Sequence, residues 1–174
     1  MEYKQRESTC CFTGHRPERL PWGVNEQDPR CVAQKEELRE ALEQAYAQGI
    51  RHFICGMARG TDLYFAEAVL ELRERREGVT LEAARPCETQ GRGLSGAERE
   101  RYEGILDRCD YDTLVQHTYD RGCMQRRNRY MVDRSALVIA IYDGDPTGGT
   151  AQTLAYALRQ KVNVHILDLK EELP

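Results

Sequence analysis

The sequence lacks any long hydrophobic run: in a chain of 174 residues, the longest apolar stretch is residues 136–142. A helix that spans a bilayer needs about 20 apolar residues, so the sequence argues against an integral membrane protein. Residues 1–6 are polar and lead into no signal-like apolar stretch. We therefore expect a cytoplasmic protein with no membrane partner.

The cysteine spacing also matches neither a disulfide framework nor a zinc ribbon. There are seven cysteines, an odd number, and no C-x-x-C motif, which excludes a zinc ribbon and a paired disulfide set. The four histidines lie far apart in sequence. We therefore expect buried thiols in a reducing compartment and no metal site, with adjacent Cys10 and Cys11 on opposite faces of a strand.

Excess positive charge is absent as well, and large aromatic residues other than tyrosine are few. There are 25 Lys and Arg against 29 Asp and Glu, a net charge of -4, with one Trp and three Phe. Sites for single-stranded nucleic acid combine basic grooves with stacking rings. Nucleic acid is therefore not the expected partner.

Strand and helix patterns alternate along the chain without repeats or a linker, which predicts one α/β domain with a mainly parallel sheet. The predicted strands are residues 9–13, 51–55, 79–84, 112–117, 135–142 and 162–167. The predicted helices are residues 32–48, 61–76, 97–109, 122–134 and 150–160. Residues 1–174 are thus assigned to a single domain.

Three loops share one design, because each follows a predicted strand, contains glycine and leads to a helix. They are residues 13–17 (TGHRP), 56–62 (GMARGTD) and 143–150 (DGDPTGGT). Such loops lie at the carboxyl ends of parallel strands, where ligands bind, and a helix start favours an anion. The candidate ligand-binding residues in these loops are Thr13, Gly14, Arg16, Gly56, Gly60, Asp62, Asp143, Gly148, Gly149 and Thr150.

Each of these loops also has a purely structural interpretation. The first is compatible with a turn that carries a solvated arginine. In the second, Asp62 accepts a hydrogen bond from a ligand hydroxyl or, with Thr61, caps the next helix. In the third, Thr150 is expected to cap a helix. The third loop is neither a Walker A loop nor a GxGxxG motif.

The predicted helix over residues 122–134 carries the fourth constellation. Residues 121–134 hold five Arg and one Asp, a local charge of +4. Met124, Asn128 and Met131 share one face, with Arg127 at its edge. A buried amide needs partners, so Arg127 and Asn128 are further candidate ligand residues. The alternative is a solvated basic face with Asn128 bonded to a neighbouring loop.

At these four places together, the sequence resembles the SLOG superfamily, which includes DprA (Smf), the LOG phosphoribohydrolases and bacterial YpsA-like proteins. Residues 56–62 are similar to the DprA loop GxARGxD, and residues 124–131 to the LOG helix MxxRKxxM. Residues 148–150 match part of the LOG loop PGGxGT. The resemblance is closest to the YpsA-like family, long called a domain of unknown function, and covers about residues 8–168.

The resemblance implies a Rossmann-like three-layer domain that binds a nucleotide or a nucleotide-derived ligand such as ADP-ribose or NAD, for sensing or processing. The glycine loops would hold phosphate, Arg16 and Arg127 would neutralise its charge, and Asp62 or Asp143 would bind ribose hydroxyls. No cofactor beyond such a ligand is implied. Because LOG and DprA relatives pair through helices, the resemblance also leaves a homodimer open.

Two other functions stay open at this point, and the sequence does not decide whether the protein is an enzyme. The first is LOG-like hydrolysis of the N-glycosidic bond of a nucleoside monophosphate. Arg127 matches the LOG arginine, but Asn128 replaces the lysine and Thr153 replaces the glutamate. Asp62, Asp143 or Asp145 would then have to supply the carboxylate. The second is DprA-like binding of single-stranded DNA.

Overall fold

The computed structural model describes residues 5–173, in which strands and helices alternate. The strands are β1 Thr9–Thr13, β2 His52–Cys55, β3 Thr80–Arg85, β4 Tyr111–Leu114, β5 Leu137–Tyr142 and β6 Asn163–Asp168. The α-helices are α1 Pro29–Ala47, α2 Thr61–Arg75, α3 Gly96–Arg108, α4 Cys123–Asp133 and α5 Gly149–Arg159. Among these residues, no helix has the length and apolar character required to cross a membrane.

All six strands pair in parallel in one sheet of order β4-β3-β2-β1-β5-β6. This confirms the predicted α/β class and the Rossmann-like architecture. The chain builds outward from β1 to β4, then crosses back and continues from β5 to β6 on the other side of β1. The strand order therefore reverses between β1 and β5, the position where open α/β sheets bind ligands.

The sheet separates two hydrophobic cores. The larger core packs α1, α2 and α3 against one face, and includes Cys10 and Phe12 of β1. The smaller core packs α4 and α5 against the other face, and includes Cys11. Since side chains alternate along a strand, the adjacent cysteines point to opposite faces as predicted. The three layers follow from this arrangement.

Helix α1 begins earlier than the sequence indicated, and α2 and α5 are capped by residues other than those expected. Helix α1 begins at Pro29, earlier than predicted, because the side chain of Asp28 accepts the backbone N–H of Arg30 at 2.9 Å. Thr61 and Asp62 do not cap α2, whose N-cap is Gly60 with φ +90°. Thr150 does not cap α5 either, since Gly148 is the N-cap there. Glycine at both caps leaves the helix starts without a capping side chain from residues 5–173.

Strand β4 is short, and its observed bounds differ from the predicted ones. It covers Tyr111–Leu114, whereas the sequence pattern indicated residues 112–117. It lies at the edge of the sheet, pairs only with β3, and has no fully buried residue. Only Tyr111 and Leu114 of this short strand are apolar, so its sequence pattern is weak, which explains the error.

Candidate functional site

A crevice opens at the switch point, between the loops that follow β1 and β5 and the inner face of α4. We call it the central crevice. Its volume is about 380 Å³, within the range of small-molecule sites. It is lined by Phe12, Thr13, Gly14, His15, Arg16, Glu18, Arg19, Ala58, Asp62, Met124, Arg127, Asn128, Met131, Gly148, Gly149 and Thr150.

The loops after β1 and β5 are joined by His15 and Arg19. The backbone N–H of Asp143 donates to Nε2 of His15 at 3.2 Å, and that nitrogen also lies 3.2 Å from Oδ1 of Asp143. Arg19 donates from Nη2 to Oδ2 of Asp143 at 2.9 Å and from Nη1 to the carbonyl oxygen of Thr147 at 3.1 Å. These contacts fix the third glycine loop against the first.

Burial and charge set the protonation of this His15–Asp143 pair. Burial lowers the pKa of His15 below its usual value, against the opposing effect of the Asp143 carboxylate. Burial also acts to raise the pKa of Asp143. The backbone N–H of Asp145 and the charges of His15 and Arg19 outweigh that effect, so this pKa lies below its usual value. A neutral imidazole beside a carboxylate is the favoured state at neutral pH, in keeping with Nε2 as the acceptor.

The amino end of α5 is open to the central crevice. Gly148, Gly149 and Thr150 line it, and the first turn receives no capping bond from a side chain of residues 5–173. The N–H groups of a helix's first turn lack helical acceptors and carry the positive end of its dipole. A Cβ at Gly149 would meet no atom within 4 Å. This end of α5 therefore offers free donors to an anion.

The amino end of α2, by contrast, is closed by protein. The carbonyl oxygen of His15 accepts the backbone N–H of Thr61 at 3.2 Å and its hydroxyl at 2.9 Å. A Cβ at Gly60 would lie 2.8 Å from the same carbonyl oxygen, and one at Gly14 would overlap the Thr61 hydroxyl. Glycine at these positions thus allows the first and second loops to pack against each other.

Helix α4 places Arg127 and Asn128 at the floor of the central crevice. Arg127, predicted at the edge of the face that Met124, Asn128 and Met131 share, is only 4% exposed and therefore buried. Its Nη1 donates to the carbonyl oxygen of Gly56, and its Nε donates to Oδ1 of Asn128 at 2.8 Å. A Cβ at Gly56 would lie 2.7 Å from the guanidinium. Burial lowers the pKa of Arg127, opposed mainly by the charge of Asp62.

Asp62 brings a buried carboxylate to the same crevice. It is 7% exposed, and its Oδ2 accepts the backbone N–H of Ala58 at 3.0 Å. Burial raises the pKa of Asp62 above its usual value, while the Arg127 charge and the Ala58 N–H act in the opposite direction. Within residues 5–173, no ion pair joins Asp62 to Arg127. Two buried opposite charges thus line one crevice without contact.

Most of the residues singled out in the sequence meet at this site. Three of them do not line the central crevice. Gly56 contacts Arg127, and Gly60 packs on His15. Asp143 is held by His15 and Arg19. His15 and Arg19 were not among the predicted site residues. His15 lies inside the first loop motif, but only the pairing of β1 with β5 brings Asp143 beside it.

The cysteines do not contribute a metal site in the described part of the chain. All seven are free; six are buried and Cys109 is half-buried, which confirms the expectation of buried thiols for all but that one. Burial raises the pKa of Cys11 and of Cys109 to about 12. Among residues 5–173, no group of three or more His, Cys, Asp or Glu side chains is placed to hold a metal ion.

Comparison with known sequences identifies related bacterial proteins over most of the chain. The family model YpsA, described as the YspA SLOG family, matches residues 10–171. The YpsA protein of Bacillus subtilis is 23% identical over 153 residues, which cover 86% of this chain and 84% of that protein. A UPF0398 protein of Bacillus pumilus is 28% identical over 139 residues, covering 78% and 74% of the two chains.

Comparison with solved structures shows the same fold in two proteins of low sequence identity. DNA processing protein A (DprA) of Streptococcus pneumoniae superposes with a TM-score of 0.60 at 16% identity, covering 91% of this chain and 49% of that one. DNA processing protein A of Helicobacter pylori, studied for its single-stranded DNA binding mode, gives 0.59 at 14% identity, covering 92% and 65%. This chain therefore spans about half to two-thirds of those proteins.

Proposed function

Because the chain belongs to the YspA SLOG family, we propose that it binds a nucleotide or a nucleotide-derived ligand, of the ADP-ribose or NAD type, in the central crevice. The ligand phosphate lies at the amino end of α5, against Gly149 and Thr150. Arg16 and Arg127 supply positive charge. The bound state serves to sense or to process that ligand.

The observation that carries this proposal is the open amino end of α5 at the β1–β5 switch point. Of the two glycine-capped helix starts beside the site, that of α2 is closed by the carbonyl oxygen of His15, whereas that of α5 receives no capping side chain from residues 5–173 and borders the central crevice. Arg16 adds a cation there. It is exposed, and it forms no ion pair with any residue in the range 5–173. Free amides and an unpaired guanidinium together suit a phosphate.

A charge placed at Gly149 tests this proposal without disturbing the fold. The Gly149→Asp side chain enters open space at the first position of α5. The helix dipole stabilises a carboxylate at this position, but the carboxylate repels a bound phosphate. Gly104→Asp is the matched control, because Gly104 is exposed on α3, away from the crevice, and also has open space at its Cβ. Thermal unfolding is followed with AMP, ADP-ribose and NAD.

We expect at least one of these nucleotides to stabilise the native protein and Gly104→Asp, but not Gly149→Asp. A ligand at 100 times its dissociation constant adds about 2.7 kcal/mol to the free energy of unfolding, which is a clear shift. The proposal fails if none of the three nucleotides stabilises the native protein. It also fails if Gly149→Asp responds as fully as the control.

A second candidate function is hydrolysis of the N-glycosidic bond of a nucleoside monophosphate, and the burial of Asp62 favours it. Thr153, at the position of the LOG glutamate, donates its hydroxyl to the carbonyl oxygen of Gly149 at 2.9 Å. Asp62 is then the carboxylate in the crevice to activate water, and its raised pKa suits a general acid–base. We expect the native protein to release free base and ribose 5-phosphate from AMP, and Asp62→Asn to abolish this release. If the native protein releases neither product, hydrolysis is rejected.

A further inference from the structure

We propose that Asp62 makes the central crevice selective for ribonucleotides, because its free carboxylate oxygen accepts a hydrogen bond from a ribose hydroxyl. This inference rests on the proposed function and narrows its ligand class to nucleotides with an intact ribose diol. It assigns to one residue the discrimination between ribose and deoxyribose.

The two oxygens of Asp62 have different surroundings. The hydrogen bond from the backbone N–H of Ala58 reaches Oδ2 at 3.0 Å. No donor from residues 5–173 reaches Oδ1, although Asp62 is 7% exposed and lines the central crevice. Among residues 5–173, the fully buried side-chain polar atoms without a partner are Gln34 Nε2 and Arg59 Nε, so Oδ1 of Asp62 is accessible from the crevice. A donor group of the ligand can therefore reach this charged oxygen in place of solvent.

Arg127 does not satisfy Asp62, although it lies in the same crevice. Its Nη1 and Nε atoms are engaged by the Gly56 carbonyl oxygen and by Asn128, and its Nη2 lies 3.8 Å from the sulfur of Met124, a weak acceptor. The guanidinium therefore keeps donor capacity for an anion while the Asp62 carboxylate keeps acceptor capacity for a hydroxyl. A sugar phosphate carries both groups.

The other carboxylates near the crevice are already engaged. Asp143 accepts from Arg19 at 2.9 Å and from the backbone N–H of Asp145 at 2.9 Å, and it is not among the residues that line the crevice. Glu18 also lines the crevice, but its side chain is 66% exposed and accepts from Arg59 at 3.0 Å, so it is solvated rather than held in the crevice. Among residues 5–173, the structure thus singles out Asp62 for a ligand hydroxyl, where the sequence alone left Asp62 and Asp143 as equals.

The size of the expected selectivity follows from the loss of one hydrogen bond to a charged group. A site built to hydrogen-bond a hydroxyl rejects an analogue without it strongly, because the polar group of the site is left unpaired. One such bond to a charged group corresponds to about tenfold or more in affinity. A deoxynucleotide, and therefore a DNA strand, lacks the 2′-hydroxyl.

Equilibrium calorimetry with paired ligands and variants tests the assignment. The ligands are AMP, 2′-deoxy-AMP, 3′-deoxy-AMP and inosine monophosphate, which keeps the ribose but lacks the amino group of adenine. The variants are Asp62→Asn, in which the amide oxygen can retain the Ala58 bond while the amino group faces the crevice, and Asp62→Ala. Asp107→Asn, at an exposed position on α3, is the matched control.

We expect the native protein and Asp107→Asn to bind AMP about tenfold or more tightly than 2′-deoxy-AMP, and to bind inosine monophosphate as tightly as AMP. In Asp62→Ala and Asp62→Asn, the affinity for AMP falls to that for the deoxy analogue, so the ratio approaches one. The loss of affinity from removing the ribose hydroxyl and the loss from replacing Asp62 are then not additive, which assigns the contact with that hydroxyl to Asp62. Circular dichroism verifies that each variant is folded.

The assignment is overturned if the native protein binds AMP and 2′-deoxy-AMP equally, with discrimination against 3′-deoxy-AMP alone counting against it too, or if the variants keep the preference for AMP. A loss of affinity with inosine monophosphate alone would mean that Asp62 recognises the base amino group instead, and would also overturn it. In all these cases the nucleotide site itself stands. Failure of the proposed function looks different, because then none of AMP, ADP-ribose and NAD binds the native protein.

Discussion

The Nε2 atom of His15 accepts the backbone N–H of Asp143 at 3.2 Å, which ties the loop after β1 to the loop after β5. These loops are 128 residues apart in sequence. The contact holds the third glycine loop at a fixed place beside the first. His15 thereby joins the two loops that border the central crevice, and burial favours its neutral form.

Replacement of His15 by an aliphatic residue should destabilise the fold. His15→Leu leaves the N–H of Asp143 without its acceptor, and an unsatisfied buried donor costs about 1–3 kcal/mol. We expect a decrease of that size in the free energy of unfolding, measured by urea titration. His117→Leu is the matched control, since His117 is exposed on the surface. Equal effects of the two substitutions would contradict the role given to His15.

The same histidine should give the folded state a characteristic pH dependence. Burial keeps the pKa of His15 below its usual value of 6.5. As the pH falls through 6.5, the unfolded chain binds a proton that the folded chain does not, so the free energy of unfolding decreases. The stability contribution is thus complete above this pH and is lost below it. We expect His15→Gln to reduce this slope in urea titrations on both sides of that pH, and an unchanged slope would argue against it.

The buried carboxylate of Glu82 should depend on the Tyr130 hydroxyl. Glu82 accepts from Tyr130 at 2.7 Å, from Thr113 at 2.9 Å and lies 2.8 Å from Nε2 of His52. Hydrogen bonds to charged groups contribute about 1.5–3 kcal/mol, so Tyr130→Phe should lower the free energy of unfolding by about that amount. Tyr119→Phe, at an exposed tyrosine, should change it by less than about 0.5 kcal/mol. A neutral result for Tyr130→Phe would show that this bond is replaceable.

Alanine at Gly14 should destabilise the protein through a clash at the start of α2. A Cβ there would overlap the Thr61 hydroxyl and lie 2.9 Å from the ring of Phe12. Overpacking of this kind costs about 1–3 kcal/mol. We expect a loss of that size in thermal or urea unfolding. Unchanged stability would mean that α2 can shift freely against the first loop.

Alanine at Gly104 should have the opposite effect. Gly104 lies within α3, is exposed, and has no neighbour within 4 Å of a Cβ. In a helix interior, alanine is more stable than glycine by about 0.5–1 kcal/mol. We expect Gly104→Ala to raise the melting temperature accordingly. Glycine-to-alanine substitution should therefore lower stability at Gly14 and raise it at Gly104. The two variants together test the structure more sharply than either alone.

Much of the fold follows from local sequence patterns. Strand β1 has the predicted bounds Thr9–Thr13, and Gly49 ends α1 with a φ of +103° as expected for a left-handed residue. Runs of buried apolar residues bounded by glycine are enough to indicate parallel strands. Strand β4 could not be located equally well, because its four residues, YDTL, do not form such a run.

The sequence by itself determined which residue types were available: glycine loops after parallel strands, an arginine-rich helix and no metal-binding pattern. Only the tertiary structure decided which of these face one another. The reversal of strand order beside β1 places Asp62, Arg127 and the start of α5 around one crevice, while His15 closes the start of α2 and engages Asp143. Local patterns carry the period of an element, whereas contacts between residues far apart in sequence depend on sheet order and packing.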